Sequence, residues 1–307
     1  MEIIRAEAMG LCFGVRQALD YVAAVGDPTQ VTVYGELAHN ETVNRSLAKR
    51  GFRRLDEQRR GQALPETPLV LITAHGVSDT ERARLRGAGL RLMDTTCPLV
   101  RRAHDAALGL QSQGCYVLVI GRRGHVEVQG LIGDLPRAEV VESATEVRCY
   151  HQGKIGVLCQ TTSTDALVRS VLEAITARNP GSEVRFIDTV CRPTRERQQA
   201  LDRLLRLVDV LVVVGGRNSR NTRELAESAR ARGVPAYRVE SAAELDPGWL
   251  QGCRTVGLTA GTSTLDETIE EVHRALLQAP GAGFQMSGFR TEVLGTGPGN
   301  LYAEPGA

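Results

Sequence analysis

Six short apolar runs punctuate the chain, and each ends in small or polar residues. They are Val31-Thr32-Val33-Tyr34, Leu69 to Thr73, Tyr116 to Ile120, Ile155 to Cys159, Val210 to Val214 and Thr255 to Thr259. Near-continuous hydrophobicity over so few residues predicts strands buried on both faces, because a half-exposed strand alternates. Between these runs the apolar residues change period. Val15, Ala18, Leu19, Val22 and Ala23 recur in steps of three and four, as do Leu99, Ala103, Ala106, Ala107 and Leu110, then Ala200, Leu201, Leu204 and Leu205. Two more stripes follow, Leu167, Val171, Leu172 and Ile175, and Ile269, Val272, Leu276 and Leu277. Such spacing lays one helix face on a core. Strands alternating with helices predict parallel sheets covered by helices.

The pattern repeats three times. Met9-Gly10-Leu11-Cys12-Phe13-Gly14-Val15, Asp94-Thr95-Thr96-Cys97-Pro98-Leu99-Val100 and Asp188-Thr189-Val190-Cys191-Arg192-Pro193-Thr194 align, with successive cysteines 85 and 94 residues apart. Each cysteine opens a helical stripe, and Pro98 and Pro193 fall in a first turn, where a missing N–H is harmless. Each unit then carries two of the apolar runs. The predicted fold class is α/β: three lobes related by approximate threefold symmetry, with mainly parallel sheets. The expected boundaries are 13–93, 94–187 and 188–280, with 1–12 packing on the third lobe. Residues 281–307 form a C-terminal tail in which Phe284 to Leu294 is a candidate closing strand. Ligands of open parallel sheets gather beyond the carboxyl ends of the strands, where all six polar loops fall.

Composition narrows the function classes. Of 307 residues, 42% are hydrophobic and 24% charged, the balance of a globular chain. Lys and Arg number 37 against 36 Asp and Glu, so the net charge of +1 offers no basic footprint for nucleic acid or an anionic membrane. Val208 to Val214, the longest apolar run, is interrupted by Asp209 and too short for a bilayer. The opening Met1-Glu2-Ile3-Ile4-Arg5 lacks a secretory layout, so the expected location is the cytoplasm.

Seven cysteines include no Cys-x-x-Cys pair, which removes zinc-ribbon and thioredoxin readings. Helix N-termini at Cys12, Cys97 and Cys191 are expected to stabilise thiolates. Brought to one axis, three thiolates leave one coordination position open on an iron–sulfur cluster or a zinc ion. Cys115, Cys149, Cys159 and Cys253 have no such placement and read as packing residues. The Gly-containing loops hold His39, His75, Thr161, Thr162, Ser219, Asn221 and Ser263, neutral or weakly basic donors on turns that precede helices, which suits a phosphate or diphosphate. His104, His151 and His273 read as structural. Glu127 beside His125 is the natural proton donor among the loop motifs.

Seven ordered motifs are Cys12-Phe13-Gly14-Val15, Ala74-His75-Gly76-Val77-Ser78, Asp94 to Val100, Gly124-His125-Val126-Glu127-Val128, Gln160-Thr161-Thr162, Asn218-Ser219-Arg220-Asn221 and Ala260-Gly261-Thr262-Ser263. Together they resemble the 4-hydroxy-3-methylbut-2-enyl diphosphate reductase family, also called IspH or LytB, over the chain up to about Leu277. The resemblance implies three lobes around a central iron–sulfur cluster, one [4Fe–4S] per chain, bound by Cys12, Cys97 and Cys191. It implies that His39, His75, His125, Thr161, Ser219, Asn221 and Ser263 bind the substrate, with Arg220 beside them, and that Glu127, Thr161 and His125 carry the proton relay. The implied reaction removes the allylic hydroxyl of (E)-4-hydroxy-3-methylbut-2-enyl diphosphate as water, using two electrons and two protons. Its products are isopentenyl and dimethylallyl diphosphate, the last step of the methylerythritol phosphate route. A ferredoxin or flavodoxin-type donor is implied as partner.

Six positions depart from the family pattern. Arg220 replaces a serine, Val126 a proline, Gln17 an arginine, Arg192-Pro193 a small pair and Leu265 a proline. Two other readings therefore stand beside the first: a paralogue using the cluster on another substrate, and a non-enzymatic iron–sulfur or zinc binding protein.

Overall fold

The computed structural model describes residues 1–279 except His39, Asn218 and the side chain of Arg220. Two candidate substrate ligands, His39 and the Arg220 side chain, therefore lie outside the described residues, as does the candidate strand Phe284 to Leu294.

In chain order the strands are β1 (Glu2–Arg5), β2 (Val31–Tyr34), β3 (Arg53–Leu55), β4 (Leu69–Ile72), β5 (Arg91–Asp94), β6 (Tyr116–Ile120), β7 (Ala138–Val141), β8 (Lys154–Cys159), β9 (Glu183–Phe186), β10 (Val210–Val214), β11 (Ala236–Val239) and β12 (Thr255–Ala260). The helices are α1 (Phe13–Ala23), α2 (Glu41–Lys49), α3 (Asp79–Gly87), α4 (Pro98–Ser112), α5 (Val126–Ile132), α6 (Asp165–Arg178), α7 (Arg192–Leu204), α8 (Arg220–Ala231) and α9 (Asp266–Gln278). The strands form three four-stranded sheets of order β3-β2-β4-β5, β7-β6-β8-β9 and β1-β12-β10-β11. Every pairing is parallel.

The six apolar runs are the two central strands of each sheet. Strands β6 and β10 carry almost nothing but buried Val, Leu and Ile, because helices cover both faces. The six edge strands carry no such signature. Arg53 and Arg54 in β3, Glu183 and Arg185 in β9, and Glu2 and Arg5 in β1 put charge on the exposed edges, which also guards against sheet-to-sheet association.

Each cysteine-led helix packs on the sheet that follows it in the chain. Val15, Ala18 and Val22 of α1 pack with Val31, Val33 and Leu71. Ala103, Ala107 and Leu110 of α4 pack with Val117, Val119 and Leu158. Ala200, Leu201 and Leu204 of α7 pack with Leu211 and Val213.

The first two lobes are also locked by a polar clasp. The Asp134 carboxylate accepts the N–H groups of Asp79 (2.6 Å) and Thr80 (2.8 Å) at the start of α3, and bonds His104 Nε2 at 2.8 Å. Burial opposes the charge, but these hydrogen bonds prevail and hold the Asp134 carboxyl below the usual range. Asp134→Ala is expected to cost about 2–4 kcal/mol in denaturant unfolding near neutral pH, since three donors lose one acceptor. A depressed carboxyl pKa contributes stability above the unfolded value and loses it as pH falls through the folded one, so the difference between the two proteins should shrink below about pH 4. An unchanged unfolding midpoint at pH 7 would show that the clasp is idle.

Candidate active site

The three repeat cysteines occupy equivalent places. Cys12, Cys97 and Cys191 are the N-cap residues of α1, α4 and α7, and no side chain caps any of the three helices. Each cysteine N–H donates to a carbonyl two residues beyond a central strand: Cys97 to Ala74 at 3.0 Å, Cys191 to Thr161 at 2.9 Å and Cys12 to Thr262 at 3.2 Å. Those carbonyls follow β4, β8 and β12, so each cysteine is pinned to one sheet while its helix packs on the next. All three therefore sit on seams between lobes, in cyclic order.

The seams bring the sulfurs together. A Cβ added at Gly14 would lie 2.8 Å from Cys97 Sγ, so only glycine lets α1 approach that ligand. The Cys97 thiol is close enough to feel the charge of both Cys12 and Cys191. Cys191 Sγ lies 3.1 Å from Thr194 Oγ1. The expected thiolate stabilisation at the helix N-termini does not prevail at two of these positions. Burial pushes the Cys97 and Cys191 thiols up, more than the N–H groups of Leu99 and Val100, at Cys97, and the hydroxyl and N–H of Thr194, at Cys191, draw them down. Binding a metal at these thiols would release their protons.

Among the described residues, the one His, Cys or carboxylate triad with ligand atoms within 4.8 Å of one another is Asp79, His104 and Asp134. Its central carboxylate is already taken up by backbone N–H groups in the clasp. Tetrahedral ligation of one zinc would bring three sulfurs to about 3.8 Å from each other, given Zn–S bonds near 2.3 Å. Among the described residues, the three repeat thiols do not all lie within 4.8 Å of one another.

Glu127 lies in the first turn of α5, not in a loop, and is 2% exposed. Its Oε1 accepts the Thr161 N–H at 2.6 Å, and the Thr161 hydroxyl is a second partner. Burial pushes its carboxyl up to about 7, against the pull of both Thr161 bonds. His125, the N-cap of α5, accepts the Glu127 N–H on Nδ1 at 3.2 Å, which leaves the neutral ring's proton on Nε2. The His75 ring meets it edge to face, with centroids 5.7 Å apart.

These groups border a cavity of about 550 Å³. His75, His125 and Glu127 line it with Ser219, Asn221 and Ser263. Ser219 caps α8 through the Thr222 N–H, and Asn221 Oδ1 accepts the Thr262 N–H at 3.0 Å. Thr161 is turned towards Glu127, while its neighbour Thr162 lines the cavity.

Residues 3–277 match the family described as LytB protein. The chain belongs to the LytB family. LytB relatives named 4-hydroxy-3-methylbut-2-enyl diphosphate reductase include one from Pelobacter propionicus, 36% identical over 89% of this chain and 96% of its own length. Another, from Aquifex aeolicus, is 34% identical over 89% and 94%. The solved E-1-hydroxy-2-methyl-but-2-enyl-4-diphosphate reductase from Plasmodium falciparum superposes with a TM-score of 0.81 at 25% identity, covering 92% of this chain and 89% of its own. A second solved structure, described as (E)-4-hydroxy-3-methyl-but-2-enyl diphosphate reductase, the terminal enzyme of the non-mevalonate pathway, gives 0.65 at 31% identity, with coverage of 90% and 99%. No helix among the described residues of this LytB chain is long and apolar enough to cross a membrane.

Several residues in or around the LytB cavity had no role assigned from the sequence, Gln160 among them although it stands within a motif. Asn40 caps α2 with Oδ1 and donates from Nδ2 to the Ser263 carbonyl at 2.8 Å, tying the first lobe to the third. An asparagine just ahead of a helix was the available signal. Gln160 accepts the Arg122 N–H and donates to Thr162 Oγ1. Glu224 and Glu227, on α8, line the wall without any motif having marked them. Among the remaining cysteines, Cys115 and Cys159 are buried and Cys253 partly so, but Cys149 is exposed, which corrects its reading as a packing residue. It lies in an extended connection whose neighbour His151 has φ +51°. Of the departures from the family pattern, Val126 occupies the first position of α5, which tolerates proline. Arg192 is 87% exposed and pairs with Glu196 at 2.6 Å.

Proposed function

We propose that this protein reductively removes the hydroxyl of (E)-4-hydroxy-3-methylbut-2-enyl diphosphate, giving isopentenyl and dimethylallyl diphosphate, with one [4Fe–4S] cluster on Cys12, Cys97 and Cys191. The observation that carries the reading is the cyclic seam arrangement of three thiols, one of which, Cys191, is close enough to feel the charge of Glu127, the buried acid that lines the cavity. Three soft, half-buried sulfur donors fit such a cluster. When bound, the cluster supplies electrons singly and one Lewis-acidic iron without a protein ligand.

The chain's own residues supply the rest. His75, His125, Ser219, Asn221 and Ser263, with His39 and Arg220 completing the motif, bind the diphosphate through side-chain donors and helix N-termini. Glu127, protonated near neutrality, holds a proton for the leaving hydroxyl, since hydroxide leaves poorly and water leaves readily. Thr161 fixes the carboxyl and extends the relay. His125 is oriented by the Glu127 N–H, so it offers Nε2–H to the cavity. Lobes 13–93, 94–187 and 188–280 close around this centre, with 1–12 on the third. A one-electron carrier of ferredoxin or flavodoxin type supplies the electrons, and a reducing cytoplasm keeps the seven cysteines unpaired.

The test is anaerobic reconstitution followed by turnover with dithionite or reduced ferredoxin. About four irons per chain and consumption of the allylic diphosphate with both products are expected. A protein that binds iron fully but leaves the diphosphate untouched contradicts the substrate; one that takes up no iron contradicts the cluster.

A further inference from the structure

Arg197 stands on α7, six residues beyond Cys191. Its Nη2 donates to the carbonyls of Gly10 at 2.9 Å and Leu11 at 3.1 Å, the two residues that lead into Cys12. Its Nη1 donates to the Pro193 carbonyl at 3.0 Å, within the first turn after Cys191. One guanidinium therefore joins the approaches to the first and third cysteines. Its Nε is buried without a hydrogen-bond partner. Among the described residues no carboxylate forms an ion pair with Arg197. The charges that act on it most are those of Cys12 and Cys191, followed by Glu196 and, in the opposite sense, Arg16. A guanidinium keeps its proton even where burial disfavours the charge, as it does here.

We propose that Arg197 is a positioning residue for the bound iron–sulfur group: it clamps the Cys12 loop against the Cys191 helix and sets a permanent positive charge beside two of the three ligands. This rests on the cluster reading above. Reduction adds negative charge to the cluster, so a fixed cation alongside favours the reduced form and raises its potential. The two contributions separate by substitution. Lysine keeps the charge but, as a compact ammonium, cannot reproduce a planar fork spread over three carbonyls. Methionine fills similar space and supplies neither.

The experiment compares wild type, Arg197→Lys and Arg197→Met after anaerobic reconstitution. Redox titration followed by visible absorbance and electron paramagnetic resonance gives the potential, and timed iron release to a chelator gives retention. Arg197→Met is expected to lower the reduction equilibrium constant at least about tenfold, roughly 59 mV for one electron, and to lose iron several times faster. Arg197→Lys is expected to keep a near-native potential while losing iron faster. A wild-type potential in Arg197→Met, or wild-type iron release from Arg197→Lys, overturns the proposal. Should Arg197→Met fail to fold, the iron release of Arg197→Lys decides. A wild-type protein that retains no iron would instead refute the cluster assignment, so the two failures are distinguishable.

Discussion

Glu127→Gln is expected to lower turnover of the allylic diphosphate by at least about 10²-fold while leaving the iron content of the reconstituted protein unchanged. The substitution is nearly isosteric, and the amide oxygen can still accept the Thr161 N–H that Glu127 holds at 2.6 Å. What disappears is the acidic proton. The pH dependence gives an independent check. With its carboxyl pushed up to about 7, Glu127 is protonated below that value and ionised above it. Wild-type activity should fall as pH rises through 7, and the residual activity of Glu127→Gln should lack that limb. Stability follows the same sign: a folded-state pKa above the unfolded value contributes stability at low pH, lost as pH rises from about 4.5 through 7. Glu127→Gln should therefore flatten the stability profile across that interval. Anaerobic steady-state rates across pH 5.5–8.5, a window spanning about 1.5 units either side of that pKa, decide the matter. Retention of more than about a third of wild-type turnover would assign the proton to another group.

Cys97→Ser is expected to abolish both stable iron binding and turnover. A serine hydroxyl is a hard donor that ionises only at high pH, so it does not replace a soft thiolate. The position is also unforgiving, because Gly14 packs against this sulfur with no room for a Cβ. The control is Cys159→Ala. Cys159 is buried in the second lobe's core, and burial pushes its thiol up to about 12, as for an inert packing residue. Its removal should cost about 1–2 kcal/mol of stability and leave iron content intact. Iron analysis of both variants beside wild type tests the assignment. Equal iron in Cys97→Ser and Cys159→Ala would mean that the repeat cysteines do not share a cluster.

How far this site can be read from the chain depends on what each residue's neighbours demand. Central strands such as β6 and β10 must be apolar on both faces, and their runs stand out. Edge strands such as β3, with two arginines in three residues, satisfy half their hydrogen bonds with solvent and look like loop. Helix α3 buries only Arg82 and Leu85, too little for a visible stripe, and α5 is a short helix whose first turn reads as part of a loop motif. The repeat cysteines were legible because three copies of one local device align. The seam geometry was not. It is created by backbone bonds between residues such as Cys12 and Thr262, whose pairing no local pattern encodes. Glu127 illustrates the same divide: its neighbour His125 marked it in sequence, but only its burial makes it an acid at neutral pH.

Strand β1 bears on how the molecule comes together. Its partner is β12, with Glu2 beside Thr255 and Arg5 beside Leu258. During synthesis β1 must wait, unpaired, until β12 has left the ribosome, and such distant pairing is entropically expensive and slow. Cys12 follows β1 directly and is pinned to Thr262. An inorganic group held by Cys12, as proposed above, would therefore not be enclosed before Thr262 has emerged.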